Sequence, residues 1–161
     1  MSICEEIMVA RILTLAAAAV AVALITLPVR AADHATKQEA EAMVNKAVVF
    51  IQSAGPVKAY AAINDVANTE FHSNDLYITV YSLDGKVLAH GANAKMIGKD
   101  MSEAQDADGV YFVRDRISLA KTQPSFWQDY KFPNPVTHKI EAKTTFCEKL
   151  ADTTVCGGIY K

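Results

Sequence analysis

What this sequence has least of is an excess of charge of either sign. Its 16 Lys and Arg face 18 Asp and Glu, a formal net charge of −2, and both signs are dispersed along the chain. That excludes a basic nucleic-acid surface and a polybasic membrane patch, so no nucleic-acid partner is expected. Reactive motifs are missing as well. There is no Ser-centred elbow, P-loop, dinucleotide fingerprint or H-E-x-x-H, and no C-x-x-C-H haem attachment site. Nothing in the residues argues for an enzyme or a cofactor. Internal repeats and low-complexity tracts are also absent. Cysteine is scarce, with 3 in 161 residues, at positions 4, 147 and 156.

What is present begins with an export signal. Arg11 supplies the positive element. Ile12 to Leu27 is apolar except for Thr14 and Thr26, Pro28 breaks any helix, and Val29-Arg30-Ala31 sets small or β-branched residues at cleavage offsets. Residues 1–32 therefore read as a signal peptide cut after Ala31 or Ala32. The rival reading is a membrane anchor. A span needs about 20 apolar residues, and this run is shorter and ends at Pro28. Glu5 and Glu6 sit badly in a region that should be positive, so translation from Met8 is expected. No lipobox-like cysteine follows the run, which argues against a lipid anchor. The expected location is periplasmic or secreted, with a membrane tether as the alternative if the signal is retained.

Residues 33–161 have the length of one domain, enough to bury a core without metals. Cys4 lies in or before the signal. Cys147 and Cys156 remain as an even pair, which outside the cytoplasm reads as a disulfide. A zinc site would need two more ligands, and His138 is the only nearby candidate.

The periodicity predicts a helix over 36–54, with Thr36 and Glu39 as a capping box and Ala40, Met43, Val44, Ala47, Val48 and Ile51 on one face. Gly55-Pro56 ends it. A second helix carries Tyr60, Ile63, Val66 and Ala67, with Asn68 and Thr69 as terminators. Asp75–Ser82 and Lys86–His90 read as strands joined at Asp84-Gly85. Val110–Lys121 reads as a helix, Trp127–Phe132 as a strand, and Ile140–Leu150 with Thr154–Tyr160 as a closing hairpin. The fold class is α+β, an antiparallel sheet with helices segregated to one side.

A turn centred between Ala151 and Asp152 sets Cys147 opposite Cys156, Thr145 opposite Gly158 and Lys143 opposite Tyr160. Period two places these six on one face. Ile140, Ala142, Phe146, Val155 and Ile159 form the other, the natural core face. The first face has room and polar groups, as a ligand pocket requires, or it faces water. Asp106-Ala107-Asp108-Gly109 invites a calcium reading. An EF-hand register lacks its first ligand and ends in the wrong acid, so a turn with Asp108 capping the next helix is expected, and no metal.

Residues 76–90, "LYITVYSLDGKVLAH", are followed by "NAKMIGKDM", "DADGVYFVRDRI", "FWQDYKFPNP" and "KIEAKTTFCEKLADTTVCGGIYK". Together these resemble the single Cache domain, the extracellular sensing module of bacterial chemoreceptors and histidine kinases. The resemblance covers essentially all of 36–161. It implies a long N-terminal helix packed on a PAS-like antiparallel five-stranded sheet, with a pocket on the opposite face for small organic ligands, often short carboxylates. Family members usually sit between two transmembrane helices. This sequence stops at Lys161, and so resembles a free-standing periplasmic version without an output domain.

On that footing Lys143 is the leading ligand residue, because a mid-strand ammonium can pair with a carboxylate. Tyr111, Trp127, Tyr130 and Tyr160 are candidate pocket walls, each with an apolar body and a polar tip. Core packing is the competing role for each. The resemblance places His90 near the pocket mouth. Of Arg114 and Arg116 one is expected to reach the ligand, with Arg116 retained as the site residue; Tyr81 is a weaker candidate. The expected function is a periplasmic binding and sensing module for a short organic acid. The alternative is a ligand-free accessory protein that docks on a membrane receptor or transporter. The intact mass of the exported protein should lack the first 31 or 32 residues; a mass retaining them would overturn the cleaved-signal reading.

Overall fold

The computed structural model describes residues 34–161; the signal segment and both start codons lie outside the described residues. The first helix, α1, spans Lys37–Ala54. Thr36 caps it: its hydroxyl accepts from the Glu39 amide, while the Glu39 carboxylate accepts from the Thr36 amide. Ala40, Val44, Ala47, Val48 and Ile51 are buried at helical spacing. Gly55 takes a positive φ of 78° and hands the chain to Pro56, the first residue of α2, Pro56–Asn64. The second helix is shorter than its periodicity predicted. It stops at Asn64 because Asn68 and Asp65 turn the chain with their own backbone bonds, leaving Val66 exposed.

Six strands follow: β1 His72–Ser73, β2 Leu76–Ser82, β3 Val87–His90, β4 Ser125–Pro133, β5 Ile140–Leu150 and β6 Thr153–Tyr160. They form one antiparallel sheet of order β1-β2-β6-β5-β4, with β3 also paired to β2. The expected sheet had five strands, and the sixth is the two-residue β1. The closing hairpin has the expected register, with Lys143 opposite Tyr160, Thr145 opposite Gly158 and Cys147 opposite Cys156. Cys147 and Cys156 are joined as a cross-strand disulfide.

α1 and α2 cover one sheet face. Val44, Ala47, Val48, Ile51 and Ile63 pack on Phe71, Ile78, Val80 and Val155. Fully burying each such aliphatic side chain contributes about 1.5–3 kcal/mol before entropy is charged. Gly157 lets α1 approach β6 closely, since a Cβ there would meet Val44 Cγ2 at 3.0 Å. Ile140 and Ala142 belong to this face by parity yet are exposed, because the strand runs past the end of the helical layer.

The helices are not segregated to one side. The third helix, α3, spans Phe112–Thr122, and Phe112, Val113 and Ile117 pack with Tyr81, Val87, Tyr130 and Phe132. Tyr81 and Tyr130 project from the face opposite α1, so the sheet is covered on both sides. Asp108 does not cap α3. Its N-cap is Tyr111, without a side-chain bond. Asp106 instead accepts from the amides of Asp108, Val110 and Lys131, and Asp108 pairs with Lys131. Among the described residues no His, Cys, Asp or Glu cluster suits a metal ion, and no helix is long and apolar enough to cross a membrane.

The disulfide closes a short loop, a sequence separation of 9. Replacing both cysteines by Ala should lower unfolding free energy by about 2–3 kcal/mol. Equilibrium urea unfolding checks this; an unchanged midpoint and slope would show that the bridge adds nothing.

Candidate functional site

Alternation along β5 and β6 turns Lys143, Thr145, Gly158 and Tyr160 to the α3 side. Lys143 is 2% exposed although it is a strand lysine. Its stem lies flat across β6, and Gly158 permits this: a Cβ built there would collide with Thr145 Oγ1 and Lys143 Cε. The ammonium sits 3.9 Å from the Tyr77 ring centroid and 4.5 Å from that of Tyr160. It donates to Tyr160 Oη at 3.3 Å. Tyr160 spends its one proton on the Pro133 carbonyl at 2.7 Å, so it accepts from both Lys143 and Tyr77.

A second buried cation stands beside the first. Arg116 on α3 is 0% exposed. Its Nε donates to Gln128 Oε1 at 3.1 Å, and its guanidinium lies 5.1 Å from the ring centroids of both Tyr81 and Tyr130. One guanidinium nitrogen, Nη2, is buried with no hydrogen-bond acceptor among the described residues.

Among the described residues neither cation has an acid within ion-pair distance. Asp75 is the single buried acid among them, and it is engaged by the Ala35 amide and by His34 at 2.9 Å. Burial first, and the nearby Arg116 charge second, push the Lys143 ammonium well below the ordinary lysine range; Asp75 opposes them. Arg116 stays charged at any physiological pH. Desolvation also raises Tyr77, Tyr81 and Tyr160, which keeps these phenols neutral. The site is therefore short of negative charge.

His90 ends β3 with its ring stacked on Tyr77, centroids 5.1 Å apart. Its Nδ1 accepts from the Ala92 and Asn93 amides, so the proton of the neutral ring sits on Nε2. Burial, then Lys143, push its pKa down to about 4. Tyr77, His90 and Phe132 border a cavity of about 410 Å³ that continues between Met96 and the segment Pro133–His138. Asn134 holds that segment. It is buried, accepts from the Val136 amide and donates to Glu141.

Of the residues expected at a site, Lys143, Tyr160, His90, Arg116 and Tyr130 come together on this face, and Tyr81 joins them. Trp127 does not: it lies on the α1 side, its indole donating to Glu41 and packing at a tilt against the Phe146 ring. Period two already separates Trp127 from Tyr130. Tyr111 lies at the start of α3 under the exposed Arg114 guanidinium, 3.9 Å from it, and does not border the cavity. Tyr77 and Phe132 were missed. Alternation puts Tyr77 on the face of Tyr81, and Phe132 on that of Tyr130, so the signal was there.

A model of the Cache domain family matches residues 33–161. The methyl-accepting chemotaxis protein McpP of Pseudomonas putida is 29% identical over 77 residues, 48% of this chain but 14% of that protein's length. The crystal structure of a methyl-accepting chemotaxis protein from Vibrio parahaemolyticus superposes with a TM-score of 0.67 at 19% identity, covering 77% of this chain and 87% of that one. A Cache chemosensory domain, solved to explain its carboxylic acid recognition, superposes with a TM-score of 0.61 at 20% identity, covering 76% and 86%. These structural likenesses establish the fold.

Unfolded, His90 titrates near the usual 6.5; folded, near 4. Between those values the unfolded chain binds more protons, so stability rises with pH and is lost as pH falls through the window. Thermal unfolding at pH 7 and pH 5 should show a drop in wild type that shrinks in His90→Gln. An equal drop in both would remove His90 as the cause.

Proposed function

The chain belongs to the Cache domain family, and from that premise we propose that residues 33–161 form a sensing module that binds a small organic acid, with Lys143 as the carboxylate partner. One observation carries the reading: two buried cations, Lys143 and Arg116, share a sheet face, and among the described residues no acid pairs with either. Burying an unpaired charge costs several kcal/mol per ion. A carboxylate beside Lys143 offsets that cost, restores the ammonium's full charge and forms charge-assisted hydrogen bonds. Arg116 Nη2 is a second donor with nothing to give to, and Tyr130 lies beside it. Carboxylic acid recognition by a Cache domain of like fold supports the choice of ligand class.

The reading is binding rather than turnover, since the site offers donors and ring faces but no nucleophile held by a base. The signal pattern and a disulfide, which persists in oxidising compartments, support a periplasmic or secreted location. There the domain reports a ligand without chemistry of its own.

A carboxylate at 100 times its Kd should stabilise the purified protein by about 2.7 kcal/mol, read as a rise in melting temperature. Lys143→Met keeps the stem and deletes the charge. It should weaken binding at least tenfold while leaving the unliganded protein as stable as wild type or more so. If no acid in a broad panel shifts the melting temperature, the carboxylate reading fails.

A further inference from the structure

The cavity beside the cations says more about the ligand than its charge. Tyr77 and Phe132, two of the cavity's walls, are also rings around the Lys143 ammonium, whose distances to their centroids are 3.9 Å and 5.9 Å. Anchor and cavity thus share walls. At about 410 Å³ the space falls within the range of roughly 300–1,000 Å³ that holds drug-sized molecules. A water molecule's share of liquid is about 30 Å³, so a two-carbon acid fills only a small part of it.

The walls are mostly apolar. Phe132, Met96, Pro133, Pro135 and Ala92 are among them, and water gains little from apolar walls. Several surfaces are flat. The His90 and Tyr77 rings stack at an interplanar angle of 24°, and Phe132 presents another ring. A thioether such as Met96 packs well against a ring edge. Among the described residues no lysine or arginine lines the cavity, so Lys143, behind Tyr77 and Phe132, is the cation nearest to it, and the far end holds Asn134 and His138 as its polar groups. His90 is neutral there, with Nε2–H as a donor.

We propose that the ligand is a monocarboxylate with a planar apolar body, an arylcarboxylate or arylacetate, whose ring lies between Met96 and Phe132 while its carboxylate reaches Lys143. This rests on the carboxylate reading above and narrows it from organic acids in general to one shape.

Calorimetric titration of the purified protein with acetate, benzoate and phenylacetate tests it. One of the aryl acids should bind at least tenfold tighter than acetate. Met96→Trp fills the cavity and should erase that advantage; Ala92→Leu does the same from a neighbouring position if the tryptophan is not tolerated. Lys143→Met should lose all three acids. Acetate binding as tightly as the aryl acids would overturn the inference and leave the carboxylate reading standing. An aryl advantage that survives both filling variants would overturn the placement of the ring. Binding of none of the acids would overturn the carboxylate reading and this inference together.

Discussion

One constraint organises the second half of this protein: a lysine ammonium must be kept inside a β-sheet layer with no acid among the described residues to pair with it. Each neighbour of Lys143 follows from that. Ring faces stand in for a counter-ion, since aromatic quadrupoles attract a desolvated cation, and Tyr77 and Tyr160 provide the nearest ones. Among the described residues the lysine's hydrogen-bond acceptor is a phenol rather than a carboxylate. That phenol is fixed by the Pro133 carbonyl, which ties the ammonium to the segment after β4. Arg116 repeats the arrangement under α3, with Tyr81 and Tyr130 for walls.

Such an arrangement is poor for stability. Apolar residues of similar volume would commonly do as well or better, and the core on the α1 side shows that the chain builds such packing without difficulty. The two sheet faces divide the labour. One is aliphatic and close-packed against α1, and holds the domain together. The other carries the cations, the raised phenols and the cavity, and α3 covers it incompletely. The disulfide lies on this second face, locking β5 to β6 a short way along the strands from Lys143.

Local patterns were readable from the chain in proportion to how local their causes are. The capping box, the Gly55-Pro56 break and the closing hairpin each depend on a few neighbouring residues, and their positions and register match the structure. The placement of Lys143 with Tyr160 and Gly158 follows from that register alone. What could not be read is set by long-range packing. Nothing in the α3 segment says which sheet face it covers, so a face with two readings, pocket or solvent, turned out to be roofed. The α2 end was overrun because Val66 fits the helical period while Asp65 and Asn68 offer the backbone competing bonds. Trp127 is different: alternation with Tyr130 already assigned it to the other side, and aromatic character alone had grouped the two. The turn at Asp106 was recognised as a turn, but which of two aspartates organised it depended on where β4 would pass.

The contact between Lys143 and Gly158 makes two positions in adjacent strands a single variable. The lysine stem occupies the volume that a side chain at 158 would fill, and Thr145 Oγ1 closes the remaining space. A larger residue at 158 therefore meets both the Lys143 stem and the Thr145 hydroxyl, and needs both to give way. Charge at the centre of the sheet thus depends on the absence of a side chain beside it, since the stem that carries the charge needs that volume.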